Sequence, residues 1–282
     1  MYYQCTSCQK ILHNPPVPVW LCGCGKPLSV HYEWEGVPRD IRIKQEEESL
    51  WRYNSVLPSN SKKEKISLGE GWTPLLPIGN NVYVKDETVN PTGSFKDRGM
   101  AMAVTMAKAQ NVEKICLPSA GNAGVSASAY CQAAGIDCFV FLPATIPEPF
   151  KKETERYKSE LVLSGQTISE AAQAMINQKD EDWFDISTLK EPFRVEGKKT
   201  LGYEIAEQLD WSLPDVIIYP TGGGTGLIGM WKAFKEMLGM GWISGPLPRM
   251  VAAQSDGCAP VVNAFQTQKE ATSIWQKSDT IA

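Results

Sequence analysis

The sequence predicts an α/β protein with parallel or mixed sheets flanked by helices, preceded by a small cysteine-bearing module. Two observations carry this. From Leu68 onward short β-branched runs alternate with helical stretches, the pattern of parallel strands joined by crossover helices. Four of the eight cysteines crowd the first 24 residues, a segment too short to build a core of its own. With 282 residues, 43% hydrophobic and 21% charged, the rest of the chain has ample core for one large or two smaller α/β domains. A net charge of −4 argues against a general nucleic-acid or anionic-membrane surface, and no apolar run reaches the length of a membrane span. The start, Met1-Tyr2-Tyr3-Gln4-Cys5, lacks a signal-peptide pattern, so the expected compartment is the cytoplasm.

In chain order, residues 1–36 form the module. Cys5-x-x-Cys8 and Cys22-x-Cys24 stand on either side of the turn at Asn14-Pro15-Pro16. Four thiolates on two tight turns suit a structural Zn²⁺ in a zinc-ribbon-like fold, and a reducing compartment favours metal over disulfides. The Cys-x-Cys spacing is shorter than the common Cys-x-x-Cys, so free thiols in a metal-free module are the alternative. His13 and His31 read as surface residues, with a role as substitute ligands the alternative. Cys116, Cys131, Cys138 and Cys258 stand singly among apolar residues, as small buried hydrophobes do. Residues 37–67 are a polar linking arm whose runs Glu46-Glu47-Glu48 and Lys62-Lys63-Glu64-Lys65 read as solvated charge.

Beyond the arm, strands are predicted at Val82–Lys85, Lys114–Leu117, Cys138–Leu142, Leu161–Leu163, Asp215–Tyr219 and Met250–Gln254. Helices are predicted at Asp97–Gln110, Ala123–Ala134, Glu148–Lys158, Thr167–Gln178, Thr200–Leu209 and Gly226–Leu238.

Ligands of such sheets sit beyond the carboxyl ends of strands, and three of those ends are chemically unusual. The first leads into Asn90-Pro91-Thr92-Gly93-Ser94-Phe95-Lys96-Asp97-Arg98-Gly99. Ser94 and Asp97 have the spacing of a capping box, and the apolar run Ala101–Ala107 makes the helix a buried one. Lys96 in its first turn lies near the positive end of the helix dipole, which disfavours the ammonium form and suits a nucleophilic amine. An ordinary first-turn lysine reaching solvent is the alternative. The second loop, Pro118–Gly124, offers the Ser119 hydroxyl, the Asn122 amide and backbone N–H groups at a helix start. It suits a carboxylate or a ring hydroxyl, though Ser and Asn are also common caps. The third loop, Pro220-Thr221-Gly222-Gly223-Gly224-Thr225-Gly226, exposes N–H groups at a positive dipole end, an anion cradle of phosphate size. No Gly-Lys-Ser/Thr follows, which excludes a Walker A loop. A buried lysine, a phosphate cradle and a donor loop of carboxylate size together describe a pyridoxal-phosphate enzyme acting on an amino acid. Lys96 would hold the aldehyde, Gly222–Thr225 the 5′-phosphate and Asn122 the pyridine hydroxyl.

These motifs, with Arg194-Val-Glu-Gly-Lys-Lys-Thr200, resemble the threonine synthases of the fold-type II, tryptophan-synthase-β-like pyridoxal-phosphate family. The resemblance runs from about Leu68 to the end and extends to the cysteine module. It implies a two-domain catalytic region over 68–282, with a small domain at about 98–195 inserted in a large domain that is incomplete at its C-terminus. It implies conversion of O-phospho-L-homoserine and water to L-threonine and phosphate, with a small amino-acid substrate and a homodimer. Lys96 would be the Schiff-base lysine and Phe95 a neighbour of the ring, with Thr221, Gly222, Gly223, Gly224 and Thr225 at the cofactor phosphate. Ser119, Asn122 and Ala123 would receive the substrate carboxylate. Arg194 would take the substrate phosphate, with Ser187 and Thr188 as hydroxyl partners; a surface salt bridge with Glu196 is the alternative for Arg194. Lys198 and Lys199 would add charge or simply be solvated.

Two departures from the pattern stand out. Ser119-Ala120-Gly121-Asn122-Ala123 carries fewer hydroxyls than familiar threonine synthases, which leaves a serine/threonine dehydratase or another replacement or elimination open. Family members continue past Ser278-Asp279-Thr280, and the continuation supplies the partner of the pyridine nitrogen, so the chain is expected to be part of a longer product. Two rival readings remain. Gly224-x-Gly226-x-x-Gly229 with Asp256 fits a dinucleotide fingerprint, but leaves Lys96 and Asn122 without a role. A non-catalytic member of the fold that binds partners through its cysteine module is the other.

Overall fold

A computed structural model describes residues 1–34, 38–58, 65–275, 278 and 280. The expected boundary at 36–37, the Lys62-Lys63-Glu64 run and Asp279 lie outside the described residues.

The cysteine segment forms a three-stranded antiparallel sheet of β1 (Tyr2–Cys5), β2 (Ile11–Leu12) and β3 (Leu28–His31), in the order β2-β1-β3. Tyr3, Cys5, Leu28 and Val30 alternate inward, as a half-buried sheet requires. Their inner face has no room for a core between two or three short strands. It joins instead the hydrophobic core that runs through the first long helix. Polar bonds fasten the docking: Trp20 Nε1 donates to the Asp185 carbonyl at 2.9 Å, and Tyr32 Oη donates to Glu196 Oε2 at 2.6 Å.

After a short helix α1 (Arg39–Arg42) and a 3-10 turn at Leu50–Val56, β4 (Leu75–Gly79) and β5 (Val82–Lys85) form an antiparallel hairpin. Then come α2 (Lys96–Ala109), β6 (Lys114–Pro118), α3 (Asn122–Ala134), β7 (Asp137–Leu142), α4 (Glu148–Arg156), β8 (Glu160–Leu163), α5 (Ile168–Gln178) and β9 (Trp183–Asp185). The four strands make a fully parallel sheet in the order β8-β7-β6-β9. Its central strands are buried on both faces, so β6 and β7 read as near-continuous apolar runs. The last part holds α6 (Phe193–Gln208), β10 (Val216–Pro220), α7 (Thr225–Gly239), β11 (Arg249–Ala253) and α8 (Pro260–Gln266), with β10 parallel to β11.

The predicted strands and helices coincide with observed ones to within two residues, with one exception. The helix predicted at Thr200–Leu209 begins at Phe193, seven residues earlier. Its first turns carry Arg194, Glu196, Lys198 and Lys199, which mimic a solvated loop in sequence but are all buried. Glu191 caps this start, its carboxylate accepting from the N–H groups of Phe193 at 2.7 Å and Arg194 at 2.9 Å. Strands β4 and β9 and helix α8 were not foreseen.

Helix α6 is the hinge of the packing, wedged between α2 and α7. Glycines set both crossings: a Cβ on Gly197 would lie 2.8 Å from the Arg98 carbonyl carbon, and one on Gly229 3.0 Å from Lys199 N. Arg98, wholly buried, ties α2 to the rest of the fold through Glu204 of α6 (2.5 and 2.8 Å) and Glu87 (2.6 and 2.7 Å). Lys85 adds a 2.8 Å ion pair to Glu204. Against the cost of burial, Arg98 and Lys85 hold the Glu204 carboxyl down to about 2.

Candidate active site

The lysine segment is shaped by its turn. Gly93 N–H donates to the Asn90 carbonyl at 2.8 Å, closing a β-turn with Pro91 at its second position. The capping differs from the box the spacing suggests. Ser94 Oγ accepts from Lys96 N at 3.4 Å, but the Asp97 carboxylate turns to Thr92, accepting from its N–H at 2.7 Å and its hydroxyl at 2.5 Å. It also accepts from Ser126 Oγ of α3 at 2.5 Å. Asp97 is thereby committed to joining the turn before Lys96 to the helix that follows the second loop. Lys96 itself is partly buried, its Nζ 4.4 Å from the centre of the Phe95 ring. Burial and the neighbouring Arg194 charge push its amine down to about 8.

Phe95 connects the lysine to the glycine loop. Its ring meets Tyr219 of β10 edge to face at 5.8 Å, and a Cβ on Gly226 would stand 2.9 Å from Phe95 Cε2. Across the loop, a Cβ on Gly223 would meet Thr188 Cγ2 at 3.0 Å. Cβ atoms on Gly222 or Gly224 would meet no protein atom within 4 Å, and Gly224 has φ +75°, a value that favours glycine. The loop is thus a bare-backbone cradle at the start of α7, fixed by Thr221 N–H on the Ala253 carbonyl at 2.8 Å and by Gln254 Nε2 on the Thr221 carbonyl at 3.0 Å. Thr225, the first residue of α7, accepts from Lys198 Nζ at 2.6 Å.

In the second loop the Ser119 hydroxyl is occupied by its own backbone. It accepts from Gly121 N at 3.1 Å and Gly124 N at 2.9 Å and donates to the Gly121 carbonyl at 3.0 Å. Asn122, first residue of α3, is exposed, and Ala123 is half-buried behind it. Gly121 precedes them at φ +148°, against the Phe150 ring.

Arg194 is 3% exposed and its guanidinium does not pair with Glu196, whose carboxylate takes Lys199, Lys232 and Tyr32 instead. Nη1 donates to the Ile186 carbonyl at 2.8 Å, while Nε is buried without a partner among the described residues. Burial lowers its pKa despite Glu191 and Asp185 nearby. Ser187 donates its hydroxyl to Asp185, which also takes Lys190 at 2.9 Å. Thr188 is the one of the two hydroxyl residues that faces the cradle. Lys198 and Lys199 are both buried, not solvated: Lys199 pairs with Glu196 at 2.8 Å and Glu236 at 3.0 Å, and Lys198 enters the site. Lys198 was left unassigned by sequence; its position four residues after Arg194 was the available signal, since such residues share a helix face.

A pyridoxal phosphate fits this arrangement on two local features: the bare-backbone cradle of Gly222–Thr225 and the partly buried amine of Lys96 across the Phe95 ring.

In the cysteine module the sulfurs of Cys5, Cys8, Cys22 and Cys24 all lie within 4.8 Å of one another, and no histidine joins the group among the described residues. Cys5–Cys24, Cys8–Cys24 and Cys8–Cys22 are 3.5, 3.6 and 3.7 Å apart. Zn–S bonds of about 2.3 Å in a tetrahedron place sulfurs about 3.8 Å apart, close to these spacings. The N–H groups of Ser7 and Cys8 both point at Cys5 Sγ at 3.4 Å and, led by Ser7, hold its thiol down to about 6.

Comparison with known proteins gives these features a family. Residues 66–282 match the model of the pyridoxal-phosphate dependent enzyme family. The whole chain is 33% identical to threonine synthase of Methanocaldococcus jannaschii, spanning 72% of that protein, and 79% of it is 34% identical to a Bacillus threonine synthase, spanning 65%. In structure it is similar to maize serine racemase, with a TM-score of 0.62 at 21% identity over 71% of this chain and 61% of that one. It is also similar to tomato threonine deaminase isoform 2, at 0.58 and 22% over 70% and 54%. The fold is therefore that of fold-type II, and the dinucleotide reading of Gly224-x-Gly226-x-x-Gly229 falls: Gly229 serves the crossing with α6. No helix among the described residues is long and apolar enough to cross a membrane. The alternating strands and helices, the buried lysine at the start of α2 and the match over 66–282 together place the chain in the family of pyridoxal-phosphate dependent enzymes, with threonine synthases among its relatives by sequence.

Proposed function

We propose that the protein converts O-phospho-L-homoserine and water to L-threonine and phosphate. The observation that carries this reading is Arg194, a buried guanidinium close enough for its charge to act on Lys96, with a donor, Nε, that finds no partner among the described residues. Two anion sites around one lysine call for a substrate with a phosphate of its own. Serine and threonine have none, so a dehydratase or racemase, which the fold also hosts, leaves Arg194 without a task.

When bound, pyridoxal phosphate supplies an electron sink for charge developing at the substrate's α-carbon. The chain's residues do the rest. The N–H groups of Gly222–Thr225 hold the 5′-phosphate, and Asn122 donates to the ring hydroxyl. The exposed N–H groups at the start of α3, beside Asn122 and Ala123, receive the substrate carboxylate, with Ser119 holding that turn in shape. Arg194 grips the substrate phosphate with Thr188 beside it, a bidentate task that suits a guanidinium. Ser187 positions Asp185 and Lys190 rather than donating to the phosphate. Lys96, its amine pushed down to about 8 by burial and the neighbouring Arg194 charge, holds the cofactor aldehyde and moves the proton at Cα. The four cysteines hold a structural zinc ion, supported by the sulfur spacings.

The test is a substrate comparison. Threonine and phosphate formed from O-phosphohomoserine, lost in Lys96→Ala, support the reading. A 2-oxo acid from serine or threonine, with O-phosphohomoserine inert, sinks it in favour of elimination. Absence of all turnover despite a borohydride-sensitive adduct on Lys96 would favour a non-catalytic role.

A further inference from the structure

Two buried lysines stand side by side on α6, and the fold treats them differently. Lys199 lies between Glu196 and Glu236, and their charges raise its pKa despite burial. Lys198 is 1% exposed and has no carboxylate within 4.0 Å of its ammonium among the described residues. Its bond is to a neutral hydroxyl, Thr225 Oγ1, at 2.6 Å. Its other neighbours are the Phe95 ring, 4.9 Å from Nζ, and two cations, Arg194 and Lys96. Glu191 is the carboxylate whose charge reaches both Lys198 and Arg194, and it is engaged on the N–H groups of α6's first turn. Like charges four apart on one helix face repel, and burial magnifies the cost. A structural lysine would have a carboxylate here, as Lys199 does.

The path of the side chain is also provided for. A Cβ on Gly99 would come 2.9 Å from Lys198 Cε, so Gly99 of α2 leaves the groove through which the stem reaches the start of α7. There the ammonium meets the first residue of a 15-residue helix preceded by three glycines.

We propose that Lys198 is a phosphate-binding residue of the cofactor end of the site, its ammonium acting with Thr225 and the cradle N–H groups on the 5′-phosphate. This rests on the cradle being the cofactor-phosphate site, as proposed above. The anion neutralises the uncompensated cation, and the helix dipole of α7 acts on it in the same direction.

The experiment compares binding of pyridoxal phosphate with binding of pyridoxal, which lacks the phosphate, to the apoprotein of wild type, Lys198→Met and Lys198→Gln, using quenching of intrinsic fluorescence. Loss of one charge-assisted hydrogen bond should weaken pyridoxal phosphate by about 10- to 100-fold and leave pyridoxal unchanged. Thermal unfolding of the ligand-free variants should be no earlier than that of wild type, because an unpaired buried charge has been removed. Equal weakening of both ligands, or unchanged binding of both, overturns the proposal. So does earlier unfolding of both ligand-free variants, which would make Lys198 structural. A raised KM for O-phosphohomoserine with an unchanged ratio of the two affinities overturns it too, moving Lys198 to the substrate phosphate. Wild type that forms no visible adduct on Lys96 would instead refute the underlying cofactor reading.

Discussion

Gly197→Ala should destabilise the protein although alanine is the better helix former. In an exposed helix interior the exchange gains about 1 kcal/mol. At Gly197 the added Cβ would stand 2.8 Å from the Arg98 carbonyl carbon and from Met102 Cβ, and closer still to the Arg98 carbonyl oxygen. Carbon atoms in contact settle at about 3.5–4.0 Å, so α2 and α6 must part by about 1 Å. The obstacle is backbone and cannot swing aside. Nor can α2 slide freely, because Arg98 is held at 2.5–2.8 Å by Glu204 and Glu87 on either side. Overpacking of this kind costs about 1–3 kcal/mol, and the pinned geometry selects the upper part of that range. Set against the propensity gain, the net loss is about 2 kcal/mol. Urea unfolding measures it as a lower midpoint with unchanged slope. A Gly197→Ala midpoint at or above that of wild type would refute the close crossing of α2 and α6.

Gly222→Ala makes the opposite prediction: with no protein atom within 4 Å of the new Cβ, the unfolding midpoint should hold, while affinity for pyridoxal phosphate falls at least tenfold because the methyl group enters the cradle. The Lys96 amine, held at about 8, should capture an aldehyde at a rate that rises about tenfold per pH unit below 8 and levels off above it. An ordinary lysine would keep gaining to beyond pH 10, so a rate still climbing at pH 9.5 in trapping by borohydride and peptide mapping would contradict the burial of this group. Atomic absorption should find one zinc per chain in wild type, and Cys5→Ser should abolish it and lower the melting temperature; full zinc content in the variant would remove Cys5 from the proposed ligand set.

Much of the fold was legible because its signals are local. β6 and β7 are continuous apolar runs between turns, and α2 and α3 follow strands directly, so boundaries could be read to within two residues. The glycine loop was legible for the same reason: consecutive glycines between a strand and a helix state a backbone requirement in the sequence itself. Ser187 was less so. Its hydroxyl donates to Asp185, two residues away, and sequence does not rank that partner against a ligand.

Helix α6 shows why the remainder was hidden. Its polar side chains are satisfied by groups from four places along the chain. Glu196 takes Tyr32 of the cysteine module and Lys232 of α7, and Glu204 takes Lys85 of the hairpin and Arg98 of α2. Lys199 adds Glu236 of α7. No window of sequence contains both members of any of these pairs except Lys199 and Glu196, so the segment reads as solvated charge. The same remoteness has a consequence for the site. Arg194 and Lys198 sit on a helix whose position is fixed by the cysteine module through Tyr32, at 2.6 Å from Glu196, and through the Val30 carbonyl, which accepts from Lys232 at 2.5 Å. The module therefore reaches Arg194 and Lys198 through one buried carboxylate, Glu196, and loosening the module should be felt first at these two cations of the same helix.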